Sequence, residues 1–176
     1  THTTIALAAI ARGKDVDCEK PLALNAAEAD DIARAASDAG VRLFPAHVVR
    51  YFGDYARAKQ EVDAGLIGEL VELTFRRTVA APAAAWFYDQ DSGGGIIRDL
   101  MIHDLDQAVW FAGPVTEISA TQTPRPDGSL VAPPVIAEVV LEHASGAISR
   151  VRAEWGEAGT PFPSGAEFVG PRGVLR

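Results

Sequence analysis

Gly13-Lys14-Asp15-Val16-Asp17-Cys18-Glu19-Lys20-Pro21-Leu22-Ala23 is the stretch that decides how this chain is read. Glycine ends helices readily because it accepts the left-handed conformation. Gly13 therefore closes the Ala-rich run of residues 4–12, which follows Thr1-His2-Thr3-Thr4 and reads as a helix. Residues 15–19 read as a short strand that stops at Pro21, since proline donates no ladder hydrogen bond. Downstream, Asn25 is suited to cap a helix, with Glu28 three residues on completing a pattern like a capping box. That helix is expected to run to about Ala39 and close at Gly40, before a second short strand over residues 41–46. Helix, strand, helix, strand with tight connections is the rhythm of a parallel α/β sheet.

Beyond residue 47 the rhythm changes. Residues 54–64 read as a helix ending in Gly65-Leu66-Ile67-Gly68. Residues 69–78 alternate like a half-buried strand, with Val71, Leu73 and Phe75 on the face expected to meet the core. A segment rich in Pro and Ala with Trp86, Phe87 and Tyr88 leads to Gly93-Gly94-Gly95 and a helix over about residues 97–112. Strands follow at about 115–123, 136–142 and 147–155, the last two joined as a hairpin by Ala144-Ser145-Gly146. The expected architecture is α/β: part of a parallel sheet over residues 1–47, then an α+β domain over 48–176 built on a mostly antiparallel sheet with helices on one side. The opening without Met and the close at Gly170-Pro171-Arg172-Gly173-Val174-Leu175-Arg176, which looks like the middle of a hairpin, are expected of a portion of a longer protein.

Composition narrows the function. The net charge is −8 and the Lys and Arg residues are scattered, so no basic stripe is expected to hold a nucleic acid backbone. The apolar runs are too short to span a bilayer, so no membrane partner is expected. The single cysteine, Cys18, has no internal partner and is expected to be a buried structural thiol in a cytoplasmic, reducing compartment.

The chemistry points to Asp99 and His103. Four residues are about one helical turn, so a carboxylate and an imidazole share a face just after a glycine run. Imidazole is the side chain best suited to moving protons near neutral pH. At about 100° per residue, Met101, Ile102, Leu105, Ala108, Val109 and Ala112 gather on one broad face, with Asp99, His103, Asp106 and Trp110 in a polar stripe beside it. Lys20, after its short strand, can supply fixed positive charge to the same reaction. The stripe also permits a metal site, because His103, Asp104 and Asp106 are ligand types; Asp104 however projects away from Asp99 and no second histidine converges. Gly93-Gly94-Gly95 lacks the spacing of a phosphate-binding loop and is expected to bend or to let backbone approach a ligand. Arg50 is either a salt-bridge partner or a substrate contact, and Trp86 and Phe87 are either core or pocket wall.

These residues resemble a known family. Residues 13–23 are similar to the "GKHV-x-x-EKP-x-A" turn of the Gfo/Idh/MocA oxidoreductases, which use NAD or NADP, and residues 92–106 resemble that family's "GGG-x-x-x-D-x-x-x-H-x-x-D" segment. Arg50-Tyr51-Phe52 resembles its "RF" element and Gly65-Leu66-Ile67-Gly68 its "G-x-I-G". Within the family the closest likeness is to the inositol and sugar dehydrogenases. The resemblance implies a Rossmann domain followed by a domain whose sheet covers the active site on one face and serves a homo-oligomer with the other. It implies cofactor contacts from Glu19 and Lys20, a proton acceptor at His103 and a substrate contact from Asp99; His2 is a further candidate for the cofactor, and Arg50 and Trp86 are further candidates for the substrate. It also implies a cis peptide before Pro21. Arg98 departs from the family by occupying a usually apolar position, so its stem is expected to snorkel or the helix to begin after it. No G-x-G-x-x-G lies ahead of a helix in these residues, so the chain alone is expected to bind dinucleotide poorly.

The leading expectation is therefore hydride transfer between NAD or NADP and a CH–OH group of a polyol or sugar, with Lys20, Asp99 and His103 in the catalytic roles. The alternatives are a metal-dependent sugar isomerase or epimerase, and a relative that binds a sugar or a protein without catalysis.

Overall fold

The computed structural model describes residues 2–125, 131 and 133–176. The chain divides into two compact units, Thr1–His47 and Val48–Arg176.

In the first unit, helix α1 (His2–Ile10) precedes strand β1 (Val16–Glu19), helix α2 (Ala26–Ala39) and strand β2 (Leu43–Ala46). The helix begins and ends two residues earlier than its apolar run suggests, because residues 11–13 tighten into a turn and Gly13 donates to the Ile10 carbonyl. The two strands pair in parallel, Val16 beside Leu43 and Glu19 beside Ala46. Asp15 fixes their entry: it accepts the Arg42 amide at 2.8 Å and two guanidinium bonds at 3.0 and 2.6 Å. Those bonds hold its carboxyl below the usual range. The expected cap forms, with Asn25 Oδ1 accepting the Glu28 amide at 3.0 Å and the Glu28 carboxylate accepting from Asn25 at 2.9 Å. Gly40 closes α2 at φ 64°. Ala6, Ile10, Ile32 and Ala36 form the core between the helices, and the small alanines allow close approach.

The second unit opens with a 3₁₀ turn (Val48–Tyr51) and helix α3 (Gly53–Asp63). Strand β3 (Glu72–Ala80), a loop, and a helical segment over residues 97–112 follow. The strands after it are β4 (Val115–Thr123), β5 (Val135–His143), β6 (Ile148–Gly156), β7 (Ser164–Gly170) and β8 (Gly173–Leu175). The sheet order is β4-β5-β6-β3-β7-β8, antiparallel except where β3 and β6 run side by side. Leu73 and Phe75 face the core as expected, but Val71 lies before the strand and is exposed. The final segment is a hairpin, with β7 and β8 turning at Pro171-Arg172 and pairing from Gly170 beside Gly173 to Phe168 beside Leu175.

One sheet face carries the helices over Leu73, Phe75, Val139, Leu141, Val151 and Trp155. Side chains of the alternate register are charged and cross-linked, with Arg150 on Glu72 at 3.0 Å and Arg152 on Glu154 at 2.8 Å. Buried His143 ties β5 to the end of the helical layer. Its Nδ1 is 2.8 Å from the Gly113 carbonyl and its Nε2 is 2.8 Å from the Ser149 hydroxyl. A carbonyl only accepts, so Nδ1 carries a proton and donates to Gly113.

Candidate functional site

In the first unit, β1 delivers Glu19 and Lys20 at its carboxyl end, the end at which open α/β sheets hold ligands. The Lys20–Pro21 peptide is cis, as the family resemblance implies. Glu19 is exposed and accepts the Lys20 amide at 3.2 Å; Lys20 is half-buried. His2, at the start of α1, donates from Nδ1 to the Pro21 carbonyl at 2.8 Å. The structure thus gathers His2, Glu19 and Lys20 around one turn. An ammonium and a carboxylate at the end of a strand, with an imidazole at the start of a helix beside them, fit the polar nicotinamide half of a dinucleotide, while no G-x-G-x-x-G among the 176 residues offers the pyrophosphate cradle. Cys18 is buried, and burial foremost, with the Asp17 and Glu19 charges behind it, pushes its thiol pKa up. It is a protonated core thiol, as expected.

In the second unit, the glycine run is packed rather than open. Gly93 and Gly94 donate to the Asp89 carbonyl at 2.9 and 2.8 Å. The Asp89 carboxylate accepts the Asp91 amide and the Ser92 hydroxyl, each at 2.9 Å, and these bonds hold its pKa low. Tyr88 anchors the loop, with its ring edge-on to Trp155 at 5.0 Å and its hydroxyl on the Pro82 carbonyl. A Cβ at Gly93 would lie 2.3 Å from the Trp86 carbonyl oxygen and 2.5 Å from Phe87 Cα. Both are backbone atoms and cannot rotate away. Gly93→Ala is therefore expected to cost about 3 kcal/mol, at the upper end for overpacking, as read by urea unfolding.

The helix expected over residues 97–112 has two windings. Ile97–Met101 is a π-helical turn, and α4 (Ile102–Ala112) continues it as α-helix. Asp99 lies in the first and His103 in the second, both half-buried. Single π turns recur at functional sites. Arg98 neither snorkels freely nor precedes the helix. Its stem lies over Gly94 and its guanidinium donates to the Gln90 carbonyl at 3.0 Å, latching the loop to the π turn.

The expected burial of this helix is corrected. Met101, Asp104, Gln107, Ala108 and Phe111 are buried, while Val109 is 45% exposed and Ile102 and Leu105 are half-buried. The wheel placed the core by apolarity, but Asp104 is buried because Arg77 of β3 meets it with two bonds of 2.9 and 2.7 Å. Reading the sequence missed this pair. Its signal was present: Arg77 continues the alternation of Leu73 and Phe75, and a charge on a core face requires a partner.

Arg50 forms a two-point pair with Asp106 at 2.7 and 2.5 Å and lies 5.4 Å from the centre of the Trp110 ring. The Asp106 carboxylate holds its guanidinium charged. Trp86 is 55% exposed and stacks on Phe87 at 3.8 Å, which makes it an exposed platform backed by a second ring. Two members of the candidate metal set are thus engaged elsewhere, Asp104 by Arg77 and Asp106 by Arg50. Among the described residues no three His, Cys, Asp or Glu side chains gather as a metal cluster, and no helix is long and apolar enough to cross a membrane.

Comparison with known proteins covers both units. Residues 1–47 match the family described as "Oxidoreductase family, NAD-binding Rossmann fold", and residues 55–176 match the "GFO/IDH/MocA C-terminal domain". Myo-inositol 2-dehydrogenase of Thermotoga maritima is 33% identical over 159 residues, covering 84% of this chain and 45% of the relative. An NAD binding oxidoreductase from Klebsiella pneumoniae superposes with a TM-score of 0.84 at 30% identity, over 99% of this chain and 50% of its own. GenD2 from gentamicin A biosynthesis, solved in complex with NAD, superposes with a TM-score of 0.88 at 26% identity, again over 99% and 50%. The chain spans at most about half the length of the curated relatives it matches.

Proposed function

Because this chain belongs to the Gfo/Idh/MocA oxidoreductase family, we propose that the protein containing it moves a hydride between NAD or NADP and a CH–OH group of a polyol or sugar. Residues 1–47 serve as the later part of its dinucleotide-binding domain and 48–176 as its substrate and oligomer-forming domain. The observation that carries this reading is the juxtaposition, within one helical segment after a packed glycine loop, of Asp99 and His103.

The nicotinamide, held with the help of His2, Glu19 and Lys20, supplies the hydride-accepting chemistry when bound. The chain's own residues handle charge and protons. Lys20 stabilises negative charge developing on the carbinol oxygen. His103, as neutral imidazole, takes the hydroxyl proton, which makes departure of the carbinol hydrogen easier. Asp99 binds substrate and orients His103. Trp86 offers a ring face to the C–H side of a polyol, and Arg50, held by Asp106, directs its remaining N–H groups to hydroxyls. The charged sheet face is the surface proposed to build a homo-oligomer.

The test is turnover by the full-length protein on myo-inositol and common monosaccharides with NAD⁺ or NADP⁺, followed by the absorbance of reduced nicotinamide. Reduction that depends on the polyol supports the reading. Interconversion of sugars without nicotinamide but with a divalent metal indicates an isomerase instead. Saturable sugar binding without either indicates a non-catalytic role.

A further inference from the structure

Asp104 has no exposed surface and Arg77 is 3% exposed, yet the two carry opposite charges at the centre of the helix–sheet layer. Burial pushes the Asp104 carboxyl up against the pull of Arg77, while Asp104 holds the guanidinium charged. A pair this deep stabilises poorly, because removing both charges from water costs about what their attraction returns. What such a pair does well is specify geometry. A guanidinium meeting both carboxylate oxygens is a planar, two-point contact, so it fixes the rotation of α4 and its position along β3 together. Tyr55 of α3 lies within electrostatic reach of both charges, and the Phe162 ring is 5.8 Å from the guanidinium carbon.

The contact sits at a place where rotation matters. Asp104 follows His103 directly, at the junction where the π turn becomes α-helix. A π winding is less favourable than α and persists where its surroundings over-determine it. Arg98, within the π turn, bonds the Gln90 carbonyl, and Asp104, in the first turn of α4 three residues past its end, bonds Arg77. Relaxation to α-helix would turn the residues before the junction relative to His103, and Asp99 is among them.

We propose that Arg77 and Asp104 are positioning residues, holding the π-to-α junction in the winding that sets Asp99 and His103 for proton transfer. This inference rests on the role given to His103 under the proposed function.

The test compares three variants of the full-length protein in steady-state kinetics. Arg77→Met with Asp104→Leu replaces the pair by apolar side chains and strands neither charge. It is expected to fold with a thermal midpoint near the parent's and with KM values for nicotinamide and polyol within about twofold. Its kcat is expected to fall about 10- to 100-fold, the scale of a misplaced reacting group. Arg77→Lys keeps the charge but loses the planar fork, and its kcat should lie between. Parent kcat in the folded double variant overturns the proposal. If the double variant does not fold, Arg77→Lys decides by the same criterion. His103→Ala separates the two readings. Loss of turnover there with parent kcat in the pair variants overturns the positioning role alone, whereas parent kcat in His103→Ala overturns the assignment of His103 and this proposal with it.

Discussion

His103→Ala in the full-length protein is expected to lower kcat by about 10²–10⁴-fold, the range for loss of a positioned general base. Its KM values and thermal midpoint should stay close to the parent's. The reason lies in where the imidazole sits. It is half-buried in the first turn of α4, outside the buried set formed by Met101, Asp104, Gln107, Ala108 and Phe111. Truncating it removes none of that buried set, and an unchanged thermal midpoint separates a loss of rate from unfolding. Added imidazole should restore part of the activity if the cavity left by the side chain admits it. Asp99→Asn is expected to be milder in kcat and to raise KM for the polyol, because Asp99 is assigned to substrate and to orientation rather than to the proton itself. A His103→Ala enzyme with unchanged kcat would place the proton acceptor elsewhere.

The parts of this molecule that were legible in the sequence are those set by local chemistry. The Asn25 cap and the Gly40 stop depend on neighbouring residues alone, and each forms where expected, as do the two short strands, which also need each other to pair. The cis peptide and the cluster at the end of β1 came from the resemblance, and the bond from His2 to the Pro21 carbonyl adds a physical support for that turn that no pattern announced. Boundaries slipped where tertiary contacts decided them. Val71 alternates correctly with Leu73 and its backbone bonds Val169 and Ile148 on either side, yet it stands just before β3 and its side chain is exposed.

The helix after the glycine run was harder for a different reason. A wheel assumes one winding and a core that is apolar, and this segment violates both. The π turn changes the angular relation of Asp99 to everything after His103, and a buried carboxylate occupies the place where the wheel put Val109 and Leu105. Gln107 is also fully buried, and no protein group among the described residues bonds its amide atoms. Polar residues on a core face become readable only when the opposing element is known. Here that element is β3, twenty-seven residues earlier in the chain.

That opposition sets the largest stability effect expected in the second unit. Asp104→Ala should destabilise the protein by about 3–5 kcal/mol in urea unfolding, the range for stripping one partner from a buried ion pair. The carboxylate itself contributes little of this. The loss comes from Arg77, whose guanidinium cannot shed its proton and is left charged in a site that is 3% exposed. Arg77→Met should be less damaging than Asp104→Ala, because a stranded carboxyl can take up a proton and burial already pushes Asp104 in that direction. The Arg77→Met, Asp104→Leu variant should recover most of the stability of either single change, since neither charge is then stranded. That ordering, with Asp104→Ala worst, Arg77→Met intermediate and the apolar pair best, follows from desolvation. A simple count of lost hydrogen bonds would rank the double variant no better than either single one. Equal destabilisation in all three would show that the bonds, and not the buried charge, dominate at this junction.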